Sequence, residues 1–482
     1  MSSGEFHLVI RSSFWVYLAS LMNAISGFVF WLIISFISGP STVGYVSAVT
    51  SLATLLSSVL NFGIPTGMIK WIGQYRGNPD EVRSYFWTSL FSVLLLYSIP
   101  SIILVFMGAM GLKFYNYEPV AMLTVSILLI STVSSVYISL FTGLIDTFPY
   151  FLLTLFGDFL KLIIGVYLVS LGYGWVGAAL SYLVPNLVLD SAGLLYAIKR
   201  VGFPKVSLTH LTNSLRAGFP SWLPSTIVTL GPQLGVILLF GYEGAYSSGL
   251  FYIAMVLSSF IIGIGSSLMS MMLPYLSGSN EKEASAFRSL RISLALTLPL
   301  AGAVLLFPDK TLSLLGESYS SAWPELIILA ISNLISLPTS SVTNLLYSKD
   351  MFKHVLLLGL SISIPRLLSY VFFAPIMGSQ GIAFSYFLGS ASGLIAALLI
   401  SPKVNFDLIR MCRSDKVMKT TLLMVLLGVA LMPFRASAYW EAGAFIYTFS
   451  SLLGFMKARI IEVNDLHDLG RALLPRKYRD IA

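Results

Sequence analysis

The sequence predicts an all-α polytopic membrane protein of about fourteen transmembrane helices, with two pseudo-symmetric six-helix lobes and a C-terminal helix pair. Three observations predict it: the ratio of apolar to charged residues, the alternation of basic connections, and an internal repeat at a nearly fixed offset. Of 482 residues, 56% are hydrophobic and 10% charged, against roughly 25% charged in a soluble domain. A soluble globule of this length needs more polar surface than the chain supplies. Cys412 is the only cysteine, so neither a disulfide framework nor a thiol metal site is expected.

A helix needs about 20 apolar residues to cross the hydrocarbon core. Runs of that kind cover Ser12–Ser38, Val43–Ile69, Ser84–Met110, Pro119–Leu144, Pro149–Leu171 and Trp175–Ile198. A second set covers Phe219–Phe240, Ser248–Tyr275, Leu290–Phe307, Trp323–Leu346, Val355–Pro375 and Gly381–Ile400. Two shorter runs follow, Val417–Pro433 and Trp440–Met456. The first run is too long for a signal-peptide core and reads as a retained helix. The expected organisation is a lobe over 1–200, a second over 201–402, the extra pair over 403–456 and a basic tail over 457–482.

With the N-terminus placed in the cytoplasm, 24 of the 29 basic residues fall on inner connections and the tail, and only Lys113, Lys310 and Arg435 on outer ones. This is the asymmetry of a cell-membrane protein with both termini inside. It accounts for the net charge of +8 without a nucleic-acid partner.

At an offset of 205 residues Arg11 meets Arg216, Gly39 meets Gly244, Gly44 meets Gly249 and Arg83-Ser84 meets Arg288-Ser289. After one residue of slippage, Gly174-x-x-Gly177-x-Ala179-x-Ser181-Tyr182 recurs as Gly378-x-x-Gly381-x-Ala383-x-Ser385-Tyr386. Small residues there let helices approach closely. Six spans per repeat is an even number, so both halves enter the membrane in the same direction, as in transporters with mid-membrane sites between parallel repeats.

These lobes, the repeated motif, and the helix-two exit Asn61-Phe-Gly-Ile-Pro-Thr-Gly67 with its basic loop resemble the multidrug/oligosaccharidyl-lipid/polysaccharide exporter superfamily. Within it the chain resembles the polysaccharide transporters, the Wzx-type flippases, and the extra helix pair is similar to that of polysaccharide and lipid II flippases. The resemblance implies alternating-access flipping of a polyprenyl-(pyro)phosphate-linked oligosaccharide across the cell membrane for surface glycan assembly. It implies a monomer whose partners are the lipid-linked glycan, membrane lipids and glycan-assembly enzymes. No cofactor, metal or catalytic residue is expected, since no phosphate-binding loop or metal-ligand cluster appears. The rivals are a cation-coupled multidrug antiporter of the same superfamily, a non-transporting scaffold, and an envelope glycan polymerase or ligase.

Ionisable residues deep in a span cost about 2.5–3.5 kcal/mol each on insertion scales and mark function. Four stand out: Asp158, Lys161, Asp190 and Arg366. Lys161 and Arg366 are separated by the repeat offset, and a base from each lobe suits a lipid phosphate. Asp158 and Asp190 then act as counter-ions or protonatable coupling sites. The structural alternative is a Lys161–Asp158 pair one turn apart, with Arg366 bonded to backbone carbonyls. Asn23, Gln233 and Tyr17 suit a sugar-lined cavity, as do Trp31 and Trp222, for which packing or interface anchoring is the plainer role. Gly27 in helix one, and Pro220, Pro224, Gly231 and Pro232 in helix seven, are candidate bending points. The tail is read as an amphipathic helix on the anionic leaflet or as a solvated segment.

Overall fold

The fourteen apolar runs fall on helical residues, with short turns at 61–63, 132–133 and 182 inside three of them. The computed structural model describes residues 3–113, 116–278, 282–349, 351–408, 415–437 and 439–458. Arg410, Cys412, Arg413 and all of the tail beyond Ala458 lie outside the described residues. In chain order the helices are α1 (Ser3–Leu60), α2 (Ile64–Gln74), α3 (Pro79–Ala109), α4 (Pro119–Ser131), α5 (Ser134–Gly143) and α6 (Phe148–Leu168). Next come α7 (Gly174–Ser181), α8 (Leu183–Arg200), α9 (Leu208–Glu243), α10 (Ala245–Gly278), α11 (Lys282–Leu306) and α12 (Pro308–Ser313). The last are α13 (Trp323–Ser348), α14 (Phe352–Ile400), α15 (Asp415–Leu431) and α16 (Trp440–Lys457). Among the described residues nine helices are long and apolar enough to span a bilayer, and several of them hold two of the predicted runs end to end. The protein is a polytopic all-α membrane protein.

Local chemistry sets the helix ends. At α3, Asn78 accepts the Glu81 amide, Pro79 occupies the first turn, and Asp80 and Glu81 add negative charge where the helix dipole is positive. α1 stays helical through Gly27; its break is at Gly39 (φ 74°, ψ 179°), followed by Pro40. Only glycine adopts that backbone cheaply, and proline cannot continue the preceding ladder. α9 runs through Pro220, Pro224 and Pro232 within one helix. The Tyr370 hydroxyl donates to the Gly231 carbonyl beside Pro232 at 2.9 Å.

The repeat is visible in the backbone. Gly244 (φ 83°, ψ −169°) copies Gly39, and Gly378 (φ 54°, ψ −126°) copies Gly174 (φ 52°, ψ −134°). A Cβ at Gly177 would meet Leu168 and Tyr173, and one at Gly381 would meet their counterparts Phe373 and Met377. The repeated motif therefore builds the same helix-start packing twice.

The helices form two compact units, one from Met1–Ile253 with Leu367–Ile382, the other from Ala254–Arg366 with Ala383–Ala482. In the first, an apolar core of Met68, Phe86, Tyr97, Leu129, Val136 and Phe141 joins α2, α3, α4 and α5. α9, which opens the second repeat, packs in this unit. A Cβ at Gly67 would overlap the Ser214 carbonyl, and one at Gly218 would overlap the Gly63 carbonyl. Trp222 Nε1 donates to the Ser58 carbonyl at 2.7 Å, and Trp71 Nε1 to that of Asn213 at 3.0 Å. In the second unit the C-terminal pair α15 and α16 packs on α11, with Tyr447 against Gly302 and Leu306 against Gly428. Arg435 pairs with Asp309 at 3.0 Å beside them. Leu95, Ile102, Leu195, Val371, Ile376 and Phe445 are exposed, an apolar surface suited to lipid tails and anomalous in water.

Gly44 and Gly249 make a reciprocal contact across the repeats. A Cβ at Gly44 would overlap the Ala245 carbonyl, and one at Gly249 would overlap the carbonyl of Pro40, the repeat partner of Ala245. Gly44→Ala is expected to destabilise the protein by about 1–3 kcal/mol, as for overpacked cores. Gly27→Ala, where a Cβ meets nothing within 4 Å, serves as the control. Thermal unfolding in detergent checks this, and equal midpoints for the two variants would contradict the contact.

Candidate functional site

The intramembrane charges are positioned by two helices that follow the repeat, α6 in the first half and the first part of α14 in the second. On α6, Asp158 and Lys161 lie one turn apart and are 2% and 3% exposed. Lys161 Nζ donates to Asp158 Oδ1 at 3.0 Å. Asn23 of α1 donates its amide to both carboxylate oxygens, at 3.4 and 3.3 Å, and Ser26 donates to the Asp158 carbonyl at 3.4 Å. Lys161 also faces aromatic rings, with its ammonium 5.4 Å from Tyr182 and 5.9 Å from Phe30. Phe30 stacks edge-on against Trp31 and Tyr182, and Trp31 against Tyr252. The close approach of α7 to α6 depends on Gly165, where a Cβ would strike Phe30 and Ser181.

In electrostatic terms the first-half site is self-neutralised. Its one cation and one anion bond each other, a neutral amide holds the anion, and ring faces attract the cation. A buried pair with these extra bonds is a tolerable burden in a low-dielectric interior, whereas either charge alone is not.

On α14, Arg366 is 6% exposed. Its guanidinium carbon lies 4.1 Å from the centre of the Tyr386 ring. Its Nε is buried with no hydrogen-bond partner, and Arg366 makes no ion pair among the described residues. Gly389 permits the approach, because a Cβ there would press on the Arg366 Cβ and Nε. The hydroxyl of Tyr386 lies 3.9 Å from the Met255 sulfur.

Of the residues singled out in the sequence, Asn23, Asp158 and Lys161 are thus brought together, and Arg366 belongs to the other compact unit. Tyr17 and Gln233 are half-buried on α1 and α9. Asp190 on α8 makes no ion pair with the Asp158 cluster, and its Oδ1 is buried without a hydrogen-bond partner. Among the described residues no three His, Cys, Asp or Glu side chains gather as metal ligands. Outside the spans, Tyr117 is buried with its hydroxyl 3.3 Å from the Ala48 carbonyl, and burial pushes its pKa well above the ordinary tyrosine range.

Two residues escaped the sequence reading. Tyr182 and Tyr386 are the last positions of the repeated Gly-x-x-Gly-x-Ala-x-Ser-Tyr motif, read there as a packing device. Each is the ring beneath the buried base of its own repeat. The signal that could have found them was the equal offset of both pairs, 161 to 182 and 366 to 386, within one residue.

A family model described as polysaccharide biosynthesis protein matches residues 9–280. Comparison with curated proteins returns no match. Among solved structures, the lipid II flippase MurJ in an inward closed conformation superposes with a TM-score of 0.68 at 14% identity, covering 92% of this chain and 98% of that one. An inward-facing multidrug resistance MATE family transporter of the MOP superfamily superposes with a TM-score of 0.63 at 16% identity, covering 81% and 98%. At such identities the likeness concerns the fold.

Proposed function

The chain belongs to the polysaccharide biosynthesis protein family, and from that premise we propose that it flips a polyprenyl-(pyro)phosphate-linked oligosaccharide from the inner to the outer leaflet by alternating access. The observation that carries this reading is Arg366, a membrane-buried base seated over the tyrosine of the repeated motif with no ion-pair partner among the described residues. Its repeat counterpart Lys161, over Tyr182, is paired with Asp158. A carrier of a lipid phosphate needs cationic groups at membrane depth, where a base with no ligand is costly. Asn23, Gln233 and Tyr17 offer the neutral hydrogen-bonding groups that a glycan takes up. Asp158 serves Lys161 as counter-ion, and Asp190, whose Oδ1 is buried without a hydrogen-bond partner, is the acid that couples transport to an ion. The fold shared with a lipid II flippase supports a lipid-linked cargo. A drug-cation antiporter needs a buried acid open to a cation; Asp158 is occupied by Lys161, which leaves Asp190 as the acid to be tested for that role.

The membrane is the cell membrane, with both termini and the basic connections at 70–83, 199–216, 276–289 and 401–416 on the cytoplasmic side. In a chain whose only cysteine is replaced, new cysteines at Lys113 and Lys310 should label from outside, and cysteines in those four connections should not. The decisive experiment is flipping by the purified protein in proteoliposomes, using a fluorescent lipid-linked oligosaccharide and an organic cation dye in parallel. Movement of the glycolipid without the dye is expected. Dye transport with no glycolipid movement would select the antiporter, and neither would select the scaffold.

A further inference from the structure

The two repeats bury a base over the same tyrosine, but in different electrostatic company. Lys161 has its counter-ion one turn earlier in Asp158, held in turn by Asn23. Adding the repeat offset of 205 to positions 158 and 23 gives Ser363 and Val228. Neither side chain can carry a negative charge, and Val228 cannot hydrogen-bond. The second repeat has therefore kept the cation and its aromatic platform while lacking the acid and the amide that neutralise the first.

The geometry of Arg366 shows what that leaves open. The centre of the Tyr386 ring lies 4.1 Å from the guanidinium carbon, a cation–π contact. A ring offers a guanidinium no oxygen acceptor, so its N–H groups still call for one. Nε is buried and has no partner. A ring quadrupole attracts a buried cation without neutralising it, and the complement that satisfies both charge and donors is an oxyanion, carboxylate or phosphate, bound through two oxygens. Lys161 presents the opposite case, because its ammonium is already bonded to a carboxylate 3.0 Å away.

We infer that Arg366, positioned by Tyr386, is the anion site of this chain, that it takes the phosphate of a prenyl-type lipid, and that the Lys161–Asp158 pair is closed to anions. The kind of anion rests on the proposed function; the assignment to Arg366 rests on its having no counter-ion among the described residues. Tyr386 is a positioning residue. It holds the guanidinium by its face and is not required to touch the anion.

The test restores what the second repeat lacks. Ser363→Asp places an acid one turn before Arg366, as Asp158 stands to Lys161, and Ser363→Asn adds the same volume without charge. The probe is farnesyl phosphate, with farnesol as the uncharged control, binding to the full-length protein in nanodiscs by calorimetry. Wild type should bind farnesyl phosphate and not farnesol. Ser363→Asp should weaken binding by about 100-fold, the loss of a charge-assisted bidentate contact, and Ser363→Asn by less than about 3-fold. Tyr386→Phe should retain binding because it keeps the ring, and Tyr386→Leu should lose about 10-fold, the scale of a desolvated cation–π contact.

Equal losses in Ser363→Asp and Ser363→Asn would overturn the inference, since volume and not charge would then be at work. So would wild-type affinity in Arg366→Gln, a variant that keeps the test decisive if the aspartate variant fails to fold. The inference and the proposed function can fail separately. Normal glycolipid flipping by Ser363→Asp sinks the anion site and leaves the function standing. Farnesyl phosphate binding that follows Arg366 in a protein unable to flip glycolipid does the reverse.

Discussion

Arg366→Ala is expected to reduce glycolipid flipping by about 100-fold or more, with folding and expression close to wild type. Loss of two charge-assisted hydrogen bonds to a phosphate is worth about 3–6 kcal/mol, and each 1.4 kcal/mol is roughly tenfold. The fold should survive because the change removes a buried cation that has no acidic partner among the described residues, and creates no unpaired charge. Arg366→Lys separates charge from geometry. An ammonium keeps the charge but has no planar face for Tyr386 and no fork for two oxygens, so a partial loss is expected, between wild type and alanine. Flipping by Arg366→Ala at the wild-type rate would remove Arg366 from the transport path. A collapse in the monodisperse yield of the purified variant would show instead that the residue is structural.

The second large effect is one of stability. Lys161→Met leaves Asp158 buried at 2% exposure with only an amide for company, and Asp158→Asn leaves Lys161 buried at 3% without its counter-ion. Breaking a buried pair from one side costs about 3–5 kcal/mol, whereas replacing both partners is close to neutral. Each single variant should therefore unfold in detergent at a markedly lower temperature. The double variant Asp158→Asn/Lys161→Met should recover most of the loss. A double variant no more stable than the singles would mean that the two charges are not energetically coupled. If the recovered double variant fails to bind farnesyl phosphate, Lys161 is itself a phosphate ligand and the pair is not closed to anions.

Helix positions, the repeat and the identity of the buried charges were legible in the sequence, because each depends on local properties. A run of apolar residues partitions into lipid whatever its neighbours are. Glycine at 39, 174, 244 and 378 marks backbone that other residues avoid, and all four have positive φ in the structure. The Lys161–Asp158 contact follows from helix geometry alone, since residues three apart share a face.

Three features were decided by tertiary structure. Asn23 reaches Asp158 across 135 residues of sequence. Tyr182 and Tyr386 each lie under a base. α9 joins the first compact unit through Gly63, Gly67 and Gly218, although the repeat places it at the head of the second half. In lipid every face of a helix is apolar enough to be accommodated, so composition does not say which face meets protein. That choice is made by close packing, where the absence of a Cβ at one glycine or the rotation of one helix about its axis selects the partner.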